Sequence, residues 1–245
     1  MINDDWWKTY FSREYYRMMI LRNKEASQQV KFILNNIDIS KNMDILDMCC
    51  GYGRHSFEFS NFGHTVLGID YSQVLINLAK EKLKNNKIKN IDFAVEDIRY
   101  FNTLKKFDLV VCLFVSLGYF NNTDNEIALN NLCKSVKENG YLVLELYNNK
   151  NIKNRSNNSK YIQTKRWYSP KSNRVFIKRT INNGTENKTY TMQIYVYSLY
   201  EIEKISQKFG LKIVKVFGNY DGEIYNDNSD NMIVFLKKEN HNEHN

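Results

Sequence analysis

Asp44-Ile45-Leu46-Asp47-Met48-Cys49-Cys50-Gly51-Tyr52-Gly53-Arg54-His55-Ser56 changes character twice: an apolar run gives way to a glycine-bearing turn, and the turn to a polar stretch that opens a helix. A strand that turns into a helix through glycines lets a ligand approach backbone amides closely, and the helix start favours negative groups. The next apolar run, Thr65-Val66-Leu67-Gly68-Ile69-Asp70, closes on an acid about 20 residues downstream, where a carboxylate accepts hydrogen bonds from ribose hydroxyls in nucleotide-binding α/β folds. Asp47, Gly51, Gly53 and Asp70 are therefore read together as one site.

Outward from this point the same grammar repeats. Ile91-Asp92-Phe93-Ala94-Val95, Phe107 to Phe114 and Tyr141 to Leu146 read as further buried strands. Between them, Val74 to Leu83 and Ile127 to Val136 carry apolar residues at helical spacing. Strand and helix in alternation specify a parallel, doubly wound α/β sheet. After Asn148 the pattern breaks into three β-rich runs, Tyr161 to Trp167, Arg174 to Ile181 and Tyr190 to Tyr197, separated by turn residues, which read as an antiparallel insertion. A helix from Ser198 to Phe209, with Ser198 as N-cap and Glu201 at the capping-box position, and strands at Lys212 to Phe217 and Met232 to Leu236 complete seven strands. The expected division is an N-terminal helical cap over 1–40, a core over 41–149 and 198–238, the insertion over 150–197, and a polar tail over 239–245.

Composition narrows the class. Across 245 residues, 42% hydrophobic and 14% aromatic content excludes a disordered chain, and 10 Gly with one Pro exclude linker-like or collagen-like scaffolds. No run approaches the roughly 18 apolar residues that span a bilayer, and the opening Met1-Ile2-Asn3-Asp4-Asp5 is acidic where a secretory signal is basic, so a cytoplasmic location away from membranes is expected. Cys49, Cys50, Cys112 and Cys133 lie in apolar segments and read as reduced thiols, and with two of four histidines, His241 and His244, in the tail there is no framework for a metal. Between Ile152 and Tyr190, ten Lys or Arg face one acid, Glu186, so this segment carries +9 against +8 for the whole chain. It reads in three ways: a solvated sheet, a cover that attracts an anionic acceptor, or a nucleic-acid platform interleaved with Tyr161, Trp167, Tyr168 and Phe176.

A dinucleotide site would place a third glycine three residues after Gly53, and Ser56 stands there, which disfavours NAD and FAD. An acid four positions before Gly51 suits a ligand with a cationic amino-acid end, because Asp47 attracts an ammonium; this describes S-adenosylmethionine. Leu46 to Ser56, Gly68-Ile69-Asp70-Tyr71-Ser72, Glu96-Asp97-Ile98 and Asn139-Gly140-Tyr141 together resemble the class I S-adenosylmethionine-dependent methyltransferases, which implies a Rossmann-like sheet. Ser116-Leu117-Gly118-Tyr119-Phe120 and Gly218-Asn219-Tyr220-Asp221-Gly222 resemble a group of these enzymes of small-molecule type from bacteria. Cys49 departs from the pattern, standing where the superfamily usually has the first glycine of its loop, so it must adopt a backbone angle compatible with a β-carbon. The resemblance implies that Gly51 and Gly53 face the methionine part, Asp70 the ribose, Asp97 and Ile98 the adenine, and Ser116 or its neighbours the floor, with Tyr71 a further cofactor-binding residue. It also implies that the N-terminal aromatic segment folds over the cofactor, bringing Tyr15 to its amino-acid end.

Methyl transfer from a sulfonium is an in-line displacement that gains from alignment and exclusion of water and needs no nucleophilic side chain. His55 reads as a packing or capping residue and His64 as a surface residue at a strand start, which leaves no histidine base for a hydroxyl acceptor. N-methylation of a small molecule is thus favoured slightly over O-methylation. No catalytic residue is assigned; Tyr119 and Tyr147 are the candidates for positioning the acceptor. The single proline, Pro170, lies outside the fourth strand's end, so the Asp/Asn-Pro-Pro-Tyr/Phe motif of exocyclic-amine base methylation and a Pro-Cys nucleophile are both absent. An RNA methyltransferase using the basic insertion and a non-catalytic S-adenosylmethionine-binding protein stand as alternatives, and the inserted strands are compatible with a homodimer.

Overall fold

The computed structural model describes residues 5–38, 42–152, 154–159, 161–182, 184 and 186–239. The tail expected over 239–245 therefore falls outside them except for Glu239, as do the basic residues Lys153 and Lys160. In chain order the elements are α1 (Trp6–Tyr10), α2 (Arg13–Met19), a 3-10 turn (Ile20–Arg22), α3 (Asn23–Asn35), β1 (Asp44–Met48), α4 (Arg54–Asn61), β2 (Thr65–Asp70), α5 (Gln73–Asn86), β3 (Ile91–Val95), β4 (Phe107–Cys112), α6 (Asn122–Ser135), β5 (Val136–Tyr147), β6 (Arg155–Asn158), β7 (Ile162–Ser169), β8 (Arg174–Asn182), β9 (Asn187–Tyr195), α7 (Leu199–Gln207), β10 (Leu211–Phe217) and β11 (Asn231–Lys238).

The main sheet has the order β10-β11-β5-β4-β1-β2-β3. Its strands run parallel except β11, which is antiparallel to both neighbours. This is the Rossmann-like seven-stranded sheet expected, with a four-stranded antiparallel sheet, β6-β7-β8-β9, between β5 and α7. Helices cover both faces, and the apolar runs split between them residue by residue. Leu46, Val110, Leu142, Leu144 and Val234 pack with Ala128, Leu129 and Ile202 of α6 and α7. Ile45, Leu109, Val111, Val143 and Ile233 pack with Val30, Ile33, Phe57 and Ile76 of α3, α4 and α5. Strands buried on both faces have no polar side to show, which is why they read as continuous hydrophobic runs.

α5 and α7 begin where their caps place them: Ser72 Oγ accepts from the Leu75 N–H, and Ser198 with Glu201 forms a complete capping box. α1 is only five residues long, too short to be stable alone. It is held because Trp6, Trp7 and Tyr10 are buried against Val175, Ile177, Met192 and Ile194 of the small sheet. Such burial is worth about 1.5–3 kcal/mol for each large apolar side chain.

Several details differ from expectation, among them the start of β5, which takes in Val136 at the expected end of the preceding helix. β4 ends at Cys112 rather than Phe114, because Phe114 and Val115 adopt φ of 60° and 54°, left-handed backbone that breaks any strand and is uncommon for a β-branched residue. The insertion has a fourth strand, β6, whose polar Arg-Ser-Asn-Asn sequence gives no strand pattern and which forms by pairing with β7. His64 is buried rather than on the surface; its Nδ1 accepts a 3.2 Å hydrogen bond from the Met43 N–H.

Candidate active site

The turn after β1 is built from left-handed residues, with φ of 61° at Cys49, 59° at Gly51 and 80° at Gly53. Cys49 adopts the conformation a glycine takes more readily, and a hydrogen bond with Cys112 and burial both push its thiol pKa up. Gly51 donates its N–H to Asp70 Oδ2 at 2.8 Å, and Ser72 donates its N–H to Oδ1 at 2.8 Å. The end of β2 is thereby locked to the turn after β1.

A cavity of about 930 Å³, counting its open mouth, lies beyond these strand ends. Asp47, Gly51, Asp70, Tyr71, Asp97, Ile98, Ser116, Tyr15 and Tyr119 all line it. Gly53 does not. It is the N-cap of α4, and a Cβ there would come within 2.6 Å of the Phe93 ring, so glycine is required for packing rather than ligand contact. Tyr147 also lies outside this cavity and lines a second one.

The cavity's electrostatics are set by enclosure. Burial raises Asp47 to about 7, against a 2.5 Å hydrogen bond from Ser56 Oγ, and raises Asp70 to about 6, against its two backbone donors. Asp97 is engaged: Arg99 holds both its oxygens, and Arg99 Nη1 reaches Asp124 at 2.9 Å. His55 is buried, hydrogen-bonds Gln29 through Nε2 at 2.7 Å, and its pKa is held well below the usual imidazole value by burial, so it packs as expected.

Sequence reasoning missed two wall residues. Trp7 meets Tyr71 edge-on at 4.5 Å and Phe120 at 5.4 Å, which brings α1 over the cavity. Arg54 opens α4, where the helix dipole disfavours a cation, and that local misfit was the available signal. Its Nη1 donates to the Arg22 carbonyl at 3.2 Å and its guanidinium lies 4.8 Å from the Phe114 ring centre, while Nη2 is buried with no protein partner.

The second chamber, about 1020 Å³ counting its open mouth, lies between α1, α2 and the small sheet. Phe11, Tyr15, Met19, Phe114 and Tyr119 line both chambers and form the partition between them. On its far side stand Tyr147, Arg166, Arg179, Glu145 and Asp230. Glu145 is buried and accepts from the Phe114 N–H at 2.8 Å, Tyr220 Oη at 2.8 Å and Asn231 Nδ2 at 3.3 Å.

A nucleotide-binding turn with acids at two strand ends and an orphaned buried guanidinium suits a ligand that carries ribose hydroxyls, an ammonium and a carboxylate. S-adenosylmethionine has all three, and the residues present fit it. The fold and cavity define a nucleotide-binding α/β domain with the features such a ligand needs. The chain belongs to the methyltransferase-domain family, whose model matches residues 39–215.

It is similar to a 23S rRNA (uracil(1939)-C(5))-methyltransferase of Francisella tularensis subsp. novicida, 29% identical over 92 residues, which cover 35% of this chain and 20% of that protein. It is also similar to a ubiquinone biosynthesis O-methyltransferase of Pelagibacter ubique, 32% identical over 108 residues, covering 44% of this chain and 43% of the relative. The match thus spans a fifth of the first relative's length and under half of the second's. An S-adenosylmethionine-dependent methyltransferase from Clostridium acetobutylicum has the same fold, with a TM-score of 0.77 at 17% identity over 93% of this chain and 99% of that one.

No helix among the described residues is long and apolar enough to cross a membrane.

Proposed function

We propose that the protein methylates the nitrogen of a small amine held in the second chamber, with S-adenosylmethionine in the first. The observation that carries this reading is the shared aromatic partition: two cavities have Phe11, Tyr15 and Tyr119 in common in their walls, so a methyl donor in one adjoins an acceptor in the other. When bound, S-adenosylmethionine supplies a methyl group on a sulfonium centre, and the amine lone pair forms the C–N bond as the S–C pair returns to sulfur.

The chain's own residues bind and align. Asp70 accepts from the ribose hydroxyls on the lone pairs its two backbone donors leave free. Arg54 Nη2 meets the carboxylate and Asp47 the ammonium. Ile98 and the Asp97 backbone, with Trp7 and Tyr71, enclose the adenine. Gly51 and Ser116 complete the walls.

Glu145 Oε1, with one 3.3 Å hydrogen bond from Asn231, is placed to take the proton that the methylated amine releases. Tyr119, and Tyr147 beside it in the second chamber, orient the acceptor. No histidine lines that chamber among the described residues, which supports an amine over a hydroxyl.

Isothermal titration with S-adenosylhomocysteine tests the cofactor site: micromolar binding that Asp70→Ala abolishes supports it. Turnover of amines, phenols and RNA with S-adenosylmethionine then tests the acceptor. Phenol turnover in the absence of amine turnover overturns the nitrogen assignment.

RNA is the second reading, favoured by one surface. Trp167 and Phe176 stack at 5.5 Å on the outer face of the small sheet, with Lys165 and Lys178 lining the same shallow cleft as Trp167. Salt-dependent RNA binding lost in a Lys165→Gln/Lys178→Gln variant supports this reading.

A further inference from the structure

The basic insertion divides its charge by strand alternation. Directly paired residues of an antiparallel sheet share a face, and neighbours along a strand point oppositely. Arg166 pairs with Ile177, and Ile177 with Met192, two buried residues packed on α1; Thr164 pairs with Arg179. Arg166 and Arg179 therefore face the second chamber, while their sequence neighbours Lys165 and Lys178 pair with each other on the outside.

The two inner guanidiniums are held but not neutralised. Arg166 lies 5.4 Å from the Tyr147 ring centre, and its Nε is buried without a hydrogen-bond partner. Arg179 donates Nε to Thr164 Oγ1 at 3.2 Å and Nη1 to Tyr10 Oη. Neither is in an ion pair among the described residues. Carboxylates stand in the same chamber at Glu145 and Asp230, so it presents both signs of charge. Guanidinium N–H groups left open in a partly enclosed space match the oxygens of a carboxylate or a phosphate.

We infer that the second chamber selects an amine that also carries an anionic group, a carboxylate or a phosphate ester, with the anion on Arg166 and Arg179 and the amine turned towards Glu145 and the partition. This rests on the reading of that chamber as the acceptor site. It accounts for two features that apolar packing leaves unexplained: half-buried, unneutralised arginines on an inner sheet face, and a buried carboxylate in the same chamber.

The test is titration of the protein, saturated with S-adenosylhomocysteine, with O-phosphoethanolamine, β-alanine and, as a reference without an anion, ethanolamine. At least one anion-bearing amine is expected to bind tenfold or more tightly than ethanolamine, and that advantage to vanish in Arg166→Gln and shrink in Arg179→Gln. S-adenosylhomocysteine affinity stays within about twofold of wild type in both variants, as neither arginine lines the cofactor cavity. A preference for O-phosphoethanolamine assigns a phosphate ester and a preference for β-alanine a carboxylate.

Equal binding of all three amines, or an advantage that survives in both arginine variants, overturns the inference. So does loss of the advantage in Lys165→Gln/Lys178→Gln alone, which would place the anion on the outer face. The Arg166 side chain makes no hydrogen bond among the described residues, so its variant remains informative if Arg179→Gln is unstable. Failure of wild type to bind S-adenosylhomocysteine is a separate outcome that strikes the cofactor site instead.

Discussion

Asp70 Oδ2 accepts the Gly51 N–H at 2.8 Å, so one carboxylate both shapes the turn after β1 and stands at the wall of the cofactor cavity. The second donor, the Ser72 N–H, ties the same carboxylate to the start of α5. Few side chains are so placed that one substitution removes a ligand contact and loosens the loop that holds the next one.

Asp70→Ala is accordingly expected to weaken S-adenosylhomocysteine binding by at least tenfold, about 1.4 kcal/mol, and to lower the melting temperature of the free protein as well. Calorimetry and thermal melting read the two effects separately. Unchanged affinity would remove Asp70 from the site.

Arg54→Gln is expected to weaken S-adenosylhomocysteine by tenfold or more while leaving 5′-methylthioadenosine, which lacks the amino-acid end, within about twofold. Parallel titrations of both ligands decide it. Equal losses would mean that Arg54 supports the cavity generally rather than meeting a carboxylate.

The pH dependence has a definite sign. Asp47 and Asp70, raised by burial to about 7 and about 6, bind more protons folded than unfolded between about pH 4 and 7. Their contribution to the stability of the free protein is present in full below the unfolded values, near 4, and is lost as pH rises through 6 and 7. A ligand with an ammonium draws the ionised forms, so S-adenosylhomocysteine affinity should rise from about pH 5 to 8, with protons released on binding. Asp47→Asn should flatten that rise. Titrations in two buffers of different ionisation enthalpy measure the protons, and proton uptake on binding would contradict the assignment.

Gly118→Ala tests how the small sheet is docked. Gly118 has φ of 102°, accepts the Tyr195 N–H at 2.7 Å, and a Cβ there would lie 2.4 Å from the Tyr195 carbonyl oxygen. The substitution should cost at least about 2 kcal/mol, roughly 4–8 °C in melting temperature. Gly63→Ala, with φ of 89° but nothing within 4 Å, should cost about half as much or less. Equal shifts would mean that backbone strain, not the contact with Tyr195, sets the effect.

Much of this was legible in the residues because burial on both faces leaves its mark directly. Ile45 and Leu46 go to opposite helix layers, yet both are apolar, and the run they belong to announces a central strand. Asp47 and Asp70 were legible because an acid at the end of an apolar run stands out against its neighbours. What escaped depends on partners distant in sequence. β6 exists because β7 pairs with it, the left-handed turn at Phe114 and Val115 is fixed by the buried carboxylate of Glu145, and Gly53 is a glycine because the Phe93 ring lies against it. The total of +9 in the insertion gave no face, although two Lys-Arg pairs in strands carry that information through alternation alone.

That alternation separates two environments within two pairs of adjacent residues. Lys165 and Lys178 are exposed and pair with each other on the outer face. Arg166 and Arg179, one residue further on in each case, face an enclosed space where a lysine would lose the planar fork. Replacing either inner arginine by lysine would keep the charge and remove the fork, whereas the outer lysines have no such geometry to lose.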